Sequence, residues 1–167
     1  MNDQEMIPES TKLKSIMLRK GVLSKRDFTK IGKVECDFLA NIGVELIKFT
    51  TLKGKDISVS FGVKLEASKD DEDDKSALLD MDEVPDFMSA IHIVTEAKAK
   101  LVTEKYDYSE MTYSTKDGVR VGLYKTEGRV QFFIHVDGRT VFLNADAINE
   151  ILSLMNLAQG RYTQLAT

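Results

Sequence analysis

Two consecutive stretches, residues 119–126 and 129–136, alternate apolar and polar side chains with the period of two that is typical of β-strands. If their valine, leucine and isoleucine side chains face a core, the alternation gathers polar and aromatic side chains on the opposite face. That face is predicted to carry Arg120, Tyr124, Gln131, Phe133 and His135. Aromatic rings beside cations suit single-stranded nucleic acid, because bases stack on the rings and phosphates attract the cations. The pattern therefore predicts a candidate nucleic-acid-binding surface.

Further residues extend this prediction. Four cationic residues lie near the ends of the same strands: Lys116, Lys125, Arg129 and Arg139. Phe49 occupies the position in an earlier, similar stretch that matches Tyr124, although Glu45 replaces the arginine there. The same aromatic face is also compatible with packing against the other half of the chain or a second subunit, which would bury its rings without any ligand.

The chain repeats itself. Residues 79–91 and 143–155 share a leucine, a cap-type residue and an acid, followed by apolar residues at i, i+3, i+4 and i+7. That spacing predicts one apolar face of an amphipathic helix in each segment. Upstream, residues 43–65 resemble residues 118–136, and each reads as two strands joined by a glycine-containing turn.

The predicted fold class is α+β, with two tandem pseudo-symmetric repeats, each an antiparallel sheet of three to four strands followed by one helix. The predicted units are a basic N-terminal extension (1–32), a first repeat (33–101) with an acidic loop at 67–76, a second repeat (102–160) and a tail (161–167). Within the extension, residues 11–31 allow either a short helix around Leu13, Ile16 and Met17 or a strand from Ile16 to Leu23. The last helix is expected to end near Ala158, before Gly160.

Composition narrows the class of protein. The 167 residues contain one cysteine, Cys36, so no intramolecular disulfide is expected and a reducing cytoplasmic location is predicted. No apolar run reaches the roughly 20 residues of a membrane span. The net charge is −4, but residues 66–86 alone carry −8 and the remainder +4. The acidic segment is therefore expected to be a mobile, solvated loop.

Catalytic and metal-binding patterns are not recognisable. The two histidines, His92 and His135, lie far apart, and no phosphate loop, zinc-ligand pair or nucleophile elbow occurs. The acidic run 70–74 lacks the glycine and terminal glutamate of a calcium loop. We therefore expect a protein that is not an enzyme and that uses no cofactor and no metal ion.

The order of strands and helices over residues 33–158 resembles the Pur-alpha and Whirly single-stranded nucleic-acid-binding proteins and the related positive-cofactor-type transcription coactivators. The helix-start phrases Leu79-Asp80-Met81-Asp82 and Leu143-Asn144-Ala145-Asp146 are similar to the segment after the last strand of Pur-type repeats. The resemblance implies a non-catalytic protein that lays a flexible DNA or RNA strand across its sheet. It assigns stacking and charge to Arg120, Tyr124, Phe133 and His135, and phosphate binding to Lys125 and Arg129.

A protein-interaction module, such as a small acidic chaperone or an assembly subunit, is the alternative. The net negative charge and seven methionines favour it, because methionine adapts to varied apolar partners. The expected partner is thus single-stranded nucleic acid or a protein, without a membrane, and a homodimer is compatible with the sequence.

Overall fold

The computed structural model describes residues 11–167 and has an α+β architecture. Residues 1–10, part of the predicted extension, lie outside the described range. The strands are β1 (Leu23–Glu35), β2 (Ala40–Lys53), β3 (Asp56–Lys69), β4 (Lys75–Asp80), β5 (Tyr108–Ser114), β6 (Arg120–Thr126), β7 (Arg129–Val136) and β8 (Arg139–Leu143). The helices are α1 (Lys12–Met17), α2 (Val84–Thr103) and α3 (Ala145–Leu165), with 3₁₀ turns at Asp37–Leu39 and Met81–Glu83.

The strands form two four-stranded antiparallel sheets, each with its strands in chain order. Sheet A contains β1 to β4, and sheet B contains β5 to β8. Along the chain, α2 follows β4 and α3 follows β8. Among residues 11–167, no helix has the length and apolar character that crossing a membrane would require.

Strand β1 begins at Leu23, inside the range 1–32 where the sequence predicted an extension with a short helix or strand. The helix alternative is present as α1, and the strand starts after it. The first four residues of β1 are exposed on both faces, and β1 is an edge strand that pairs only with β2. A strand without a buried face has no hydrophobic period, so its sequence gives little signal.

Strand β4 narrows the predicted acidic loop to residues 70–74, because β3 continues to Lys69 and β4 starts at Lys75. Ala77, Leu78 and Leu79 are buried in succession. Ala77 and Leu79 belong to the main core, whereas Leu78 lies in a second cluster on the other face of sheet A. Burial on both faces removes the alternation by which a strand is recognised.

Helix α3 continues through Gly160 to Leu165, beyond the predicted end near Ala158. Gly160 is exposed, and a Cβ placed there would meet no atom within 4 Å. Tyr162, in the next turn, packs its ring edge-on against Phe61 of β3 with the ring centroids 5.2 Å apart. This tertiary contact holds the last turns of α3 on the protein despite the glycine.

Each of the two long helices packs mainly on the sheet that it does not follow in the sequence. Helix α2, which follows sheet A, packs mainly against β5, β6 and β7 of sheet B, whereas α3, which follows sheet B, packs mainly against β1 and β2 of sheet A. The helices also contact each other. Both sheets and both helices therefore share one core, which includes Val44, Leu65, Phe87, Ile91, Leu123, Ile134, Ile151 and Met155.

Helix α1 covers part of the other face of sheet A. Leu13 is 1% exposed and packs with Ile47, Phe49 and Leu78. The backbone N–H groups of Lys12 and Leu13 donate to the carboxylate of Asp80, at 2.9 and 3.2 Å. A Cβ on Gly62 would collide with the Leu13 side chain, so the glycine provides the space that Leu13 fills.

Buried acids join the two halves of the molecule. Glu83 accepts hydrogen bonds from the backbone N–H of Asp80 at 2.9 Å and from that of Lys116, in the β5–β6 loop, at 2.8 Å. Asp117 accepts from the N–H of Leu78 at 2.8 Å. Side-chain acceptors thus fix the β5–β6 loop of sheet B against the β4 edge of sheet A.

The position of α3 predicts that its buried and exposed apolar residues differ sharply in their contribution to stability. Met155 is 0% exposed, and Met155→Ala should lower the free energy of unfolding by about 2–5 kcal/mol, the range for large-to-small changes in a core. Leu157→Ala is the control, because Leu157 is 59% exposed and surface changes usually stay within about 0.5 kcal/mol. Urea unfolding measures both. Equal effects of the two substitutions would contradict the packing of α3 on sheet A.

Candidate nucleic-acid interface

Sheet B has one face against the core and one facing outward. Val121 and Leu123 of β6 are 1% and 0% exposed, so the residues between and beside them lie on the opposite face. The outer face of sheet B comprises Tyr108, Glu110, Thr112, Ser114, Arg120, Gly122, Tyr124, Thr126, Arg129, Gln131, Phe133, His135, Thr140 and Phe142. All five residues predicted from the alternation lie on this face. Four of them are aromatic or basic: Arg120, Tyr124, Phe133 and His135.

An aromatic cluster occupies the middle of the outer face. The ring of Tyr124 lies 6.5 Å from that of Tyr108 in a stacked arrangement, 6.0 Å from Phe133 and 6.4 Å from Phe142, measured between centroids. Tyr108 is 57% exposed, Tyr124 and Phe142 are half-buried, and Phe133 is only 7% exposed. Phe133 therefore forms the base of the cluster, and the other three rings offer surface to a ligand.

The buried position of Phe133 depends on a glycine. Gly122 lies directly opposite Phe133 in the ladder. A Cβ at residue 122 would come within 3.1 Å of Phe133 Cζ and would collide with the carbonyl oxygen of Met111 on β5. The Phe133 ring thus comes close to residue 122 because no side chain is present there.

Two arginines flank the cluster. Arg120 and Arg129 are exposed, and neither forms an ion pair with any residue in the described part of the chain. His135 pairs with Arg120 across the ladder, and its Nδ1 lies 2.9 Å from the Thr140 hydroxyl. Burial, helped by the charge of Arg120, lowers the pKa of His135. At neutral pH the positive charge of this face therefore comes from the arginines and not from the histidine.

Glu110 is the acid on the outer face. Its carboxylate accepts hydrogen bonds from the Tyr108 hydroxyl and the Thr112 hydroxyl, both at 2.8 Å. These bonds lower the pKa of Glu110, so the carboxylate stays ionised. Its negative charge is engaged with two donors and fixes the orientation of the Tyr108 ring.

Two predicted contacts on β6 and β7 have other roles. Lys125 lies on the core side with Leu123, is 6% exposed, and donates from Nζ to the carbonyl oxygen of Glu104. It therefore cannot hold a phosphate beside Tyr124. Gln131 lies on the outer face, but its amide donates to the carbonyl oxygens of Phe132 and Leu143, at 3.0 and 2.9 Å.

Phe49 does not join the cluster either. It lies on sheet A, is 2% exposed, and packs with Leu13 of α1, Ile47 and Leu78. The Arg26 guanidinium lies 5.7 Å from its ring centroid. The helix that covers Phe49 comes from a distant part of the sequence, so the position that matches Tyr124 in the first half is closed by the chain itself.

Two rings of the cluster, Tyr108 and Phe142, were not among the predicted site residues. Both could have been found by extending the alternation to the outer strands of the sheet. Phe142 lies opposite Phe133, between the buried Val141 and Leu143. Tyr108 starts a strand in which exposed and half-buried residues alternate.

The outer face offers ring stacking, cation–anion contacts and hydrogen bonds. Within residues 11–167, no three histidine, cysteine, aspartate or glutamate side chains are arranged to hold a metal ion. Comparison of the chain with protein-family models and with curated proteins gives no match. The geometry of the outer face therefore carries the functional argument.

The close packing over Gly122 predicts that this position tolerates no side chain. Gly122→Ala should lower the free energy of unfolding by about 1–3 kcal/mol through overpacking, and near-ultraviolet circular dichroism should report displaced tyrosine and phenylalanine rings. Gly160→Ala is the matched control, because a Cβ there meets nothing within 4 Å. A glycine-to-alanine change inside a helix should raise stability by about 0.5–1 kcal/mol. An unperturbed Gly122→Ala variant would contradict the arrangement of Phe133.

Proposed function

We propose that this chain is a non-catalytic protein that binds single-stranded DNA or RNA on the outer face of sheet B. The observation that carries the proposal is the contiguous set of ring surfaces at Tyr108, Tyr124 and Phe142, flanked by Arg120 and Arg129, which form no ion pair within residues 11–167. Every base has a flat π-face, so stacked rings bind a strand with little dependence on sequence. The two exposed arginines add attraction for the phosphates.

The order of elements supports the same proposal. Each half of the described chain supplies four antiparallel strands and then a long helix. We take the halves to be pseudo-symmetric repeats, a layout that resembles the Pur-alpha and Whirly type of single-stranded nucleic-acid-binding protein. The second half carries the open face, because the corresponding face of the first half is partly covered by α1.

A protein partner is the second candidate, and a separate surface favours it. At the far end of sheet A, Leu23 and Ile57 are each 68% exposed and Val59 is 49% exposed. Leu23 and Ile57 both pair with Leu52, so these residues are neighbours across three strands. An exposed apolar patch of this kind suits another polypeptide or a second copy of the chain better than it suits phosphate.

The stacking role predicts a specific loss of affinity. Fluorescence anisotropy of a labelled mixed-sequence single-stranded oligonucleotide should show binding by the intact chain and a marked loss in the Tyr108→Leu, Tyr124→Leu double variant. Leucine keeps apolar cover over Phe133 but removes the flat rings, and each lost stack should weaken binding by about 5- to 150-fold. Tyr106→Leu is the control, because Tyr106 is 69% exposed and precedes the sheet. Equal affinities for all three proteins would refute the proposed surface.

The role of Arg120 predicts a change in salt dependence. For single strands, the slope of log affinity against log salt is about −0.7 for each phosphate contact, so Arg120→Gln should make the slope shallower by about 0.7. Lys55→Gln removes an exposed cation on the turn after β2 and should leave the slope unchanged. A slope near zero in the intact chain would instead favour the protein-interaction alternative, because apolar contacts do not weaken as salt rises.

A further inference from the structure

The connection between β1 and β2 holds two large apolar side chains in water. Phe38 and Leu39 are 75% and 74% exposed, with left-handed backbone φ angles of 58° and 60°. Bulky side chains disfavour this conformation. The turn is nevertheless closed by a 2.8 Å hydrogen bond from the N–H of Cys36 to the carbonyl of Ala40. Strained backbone that exposes an aromatic ring is typical of ligand-binding positions.

Phe38 continues the aromatic cluster of sheet B toward sheet A. Its ring meets that of Phe142 edge-on, with centroids 6.2 Å apart and an interplanar angle of 81°. Phe142 is in turn 6.4 Å from Tyr124. A strand stacked on Tyr124 and Phe142 would therefore reach Phe38 next.

A cleft of about 380 Å³ opens beside this ring, between the ends of the two sheets. Its lining includes Phe38 and Phe142 together with Lys69, Lys75 and Arg139. Aromatic and cationic groups thus lie side by side, as they do on the outer face of sheet B. The charge and the flat surface both suit a nucleotide.

The Arg139 guanidinium is paired with a carboxylate of the same chain in this cleft. Its guanidinium donates to the carbonyl of Ala67 at 3.0 Å and to the Glu72 carboxylate at 2.9 Å. The Glu72 side chain belongs to the acidic turn and is 52% exposed, whereas that of Arg139 is 12% exposed. Lys69 and Lys75 form no ion pair among residues 11–167. The arginine is therefore held in place by a backbone carbonyl, and its acidic partner is the more accessible of the two.

We propose that this cleft binds the next nucleotide of a strand that lies on the outer face of sheet B. Phe38 stacks on the base, while Lys75 and Arg139 bind the phosphate, which displaces Glu72 from Arg139. The proposal rests on the proposed function, since the strand is the ligand that arrives from Phe142. It also gives the acidic turn a specific action, because Glu72 occupies the phosphate position when no strand is bound.

The charges of the cleft support this occupant. Lys69, Lys75 and Arg139 face two acids, Asp37 and Glu72. Displacement of Glu72 leaves three cations and one acid around the phosphate. An uncharged apolar ligand would leave Lys69 and Lys75 without an ion-pair partner from residues 11–167, so the cleft favours an aromatic group that carries negative charge.

The test uses anisotropy with oligothymidylates that increase in length from about 4 to 16 nucleotides, the range of single-domain sites. Short strands should bind only the sheet, and longer strands should gain affinity when they reach the cleft. Phe38→Asn removes the ring but keeps a residue that tolerates the left-handed backbone. It should abolish the gain with length and leave short strands unaffected, as should Lys75→Gln.

Glu72→Gln provides a test of opposite sign. Loss of the competing carboxylate should raise affinity for long strands severalfold and leave short strands unchanged. Asp73→Asn removes the same charge from the neighbouring position, which is exposed and has no ion pair in the described chain, and it should have a much smaller effect. Equal gains for the two variants would indicate general repulsion and would refute displacement at Arg139.

The outcomes separate this inference from the proposed function. If the tyrosine double variant loses binding while Phe38→Asn, Lys75→Gln and Glu72→Gln match the intact chain at every length, the cleft proposal is wrong and the sheet proposal stands. If Phe38→Asn weakens short and long strands alike, Phe38 is part of the sheet site and the separate nucleotide position is refuted. If the intact chain binds no strand at low salt, both proposals fail.

Discussion

The exchange of helices between the sheets is the constraint on which the rest of the structure depends. A four-stranded sheet with one apolar face needs a partner layer, and here each long helix supplies that layer mainly to the sheet it does not follow. As a result, both sheets turn one face to a shared core and one face outward.

The outward faces of the two sheets differ in how far they are covered. On sheet A, Leu13 fills the space over Gly62, and its helix is fixed by backbone hydrogen bonds to the buried Asp80. On sheet B, Phe133 fills the space over Gly122, but Tyr108 and Tyr124 remain accessible above and beside it. On both sheets a glycine lets a large apolar side chain approach the backbone closely. On sheet A that side chain belongs to the covering helix, whereas on sheet B it belongs to the sheet itself and supports the tyrosine rings.

Most of the sheet-forming pattern could be predicted from the sequence, because apolar side chains occupy every second position from Val119 to Leu123 and from Val130 to Val136, and the outer face of sheet B follows from that period. Prediction failed where burial was not one-sided. Strand β1 is exposed at its start and β4 is buried on both faces, so neither alternates. Lys125 was predicted to be a nucleic-acid contact because it lies near the end of β6. It follows Leu123 by two residues, however, and its side chain therefore lies on the core side of the strand. The cover over Phe49 comes from α1, and no local signal reports a contact between such distant segments.

The pairing of α3 with β1 and β2 also sets the order in which this protein can be completed during synthesis. Strands β1 and β2 leave the ribosome long before residues 145–165, so the inner face of sheet A, with Val44 and Leu65, has to wait for its cover. Contacts between such distant segments slow folding, and an uncovered apolar sheet is prone to self-association in the meantime. The alternating lysine and glutamate side chains on the opposite face of that sheet, such as Lys64 between Glu45 and Glu66, keep at least one side hydrated through this interval. Helix α3 thus completes the cover of sheet A, and the inner face of this sheet stays incompletely covered until α3 has been synthesised.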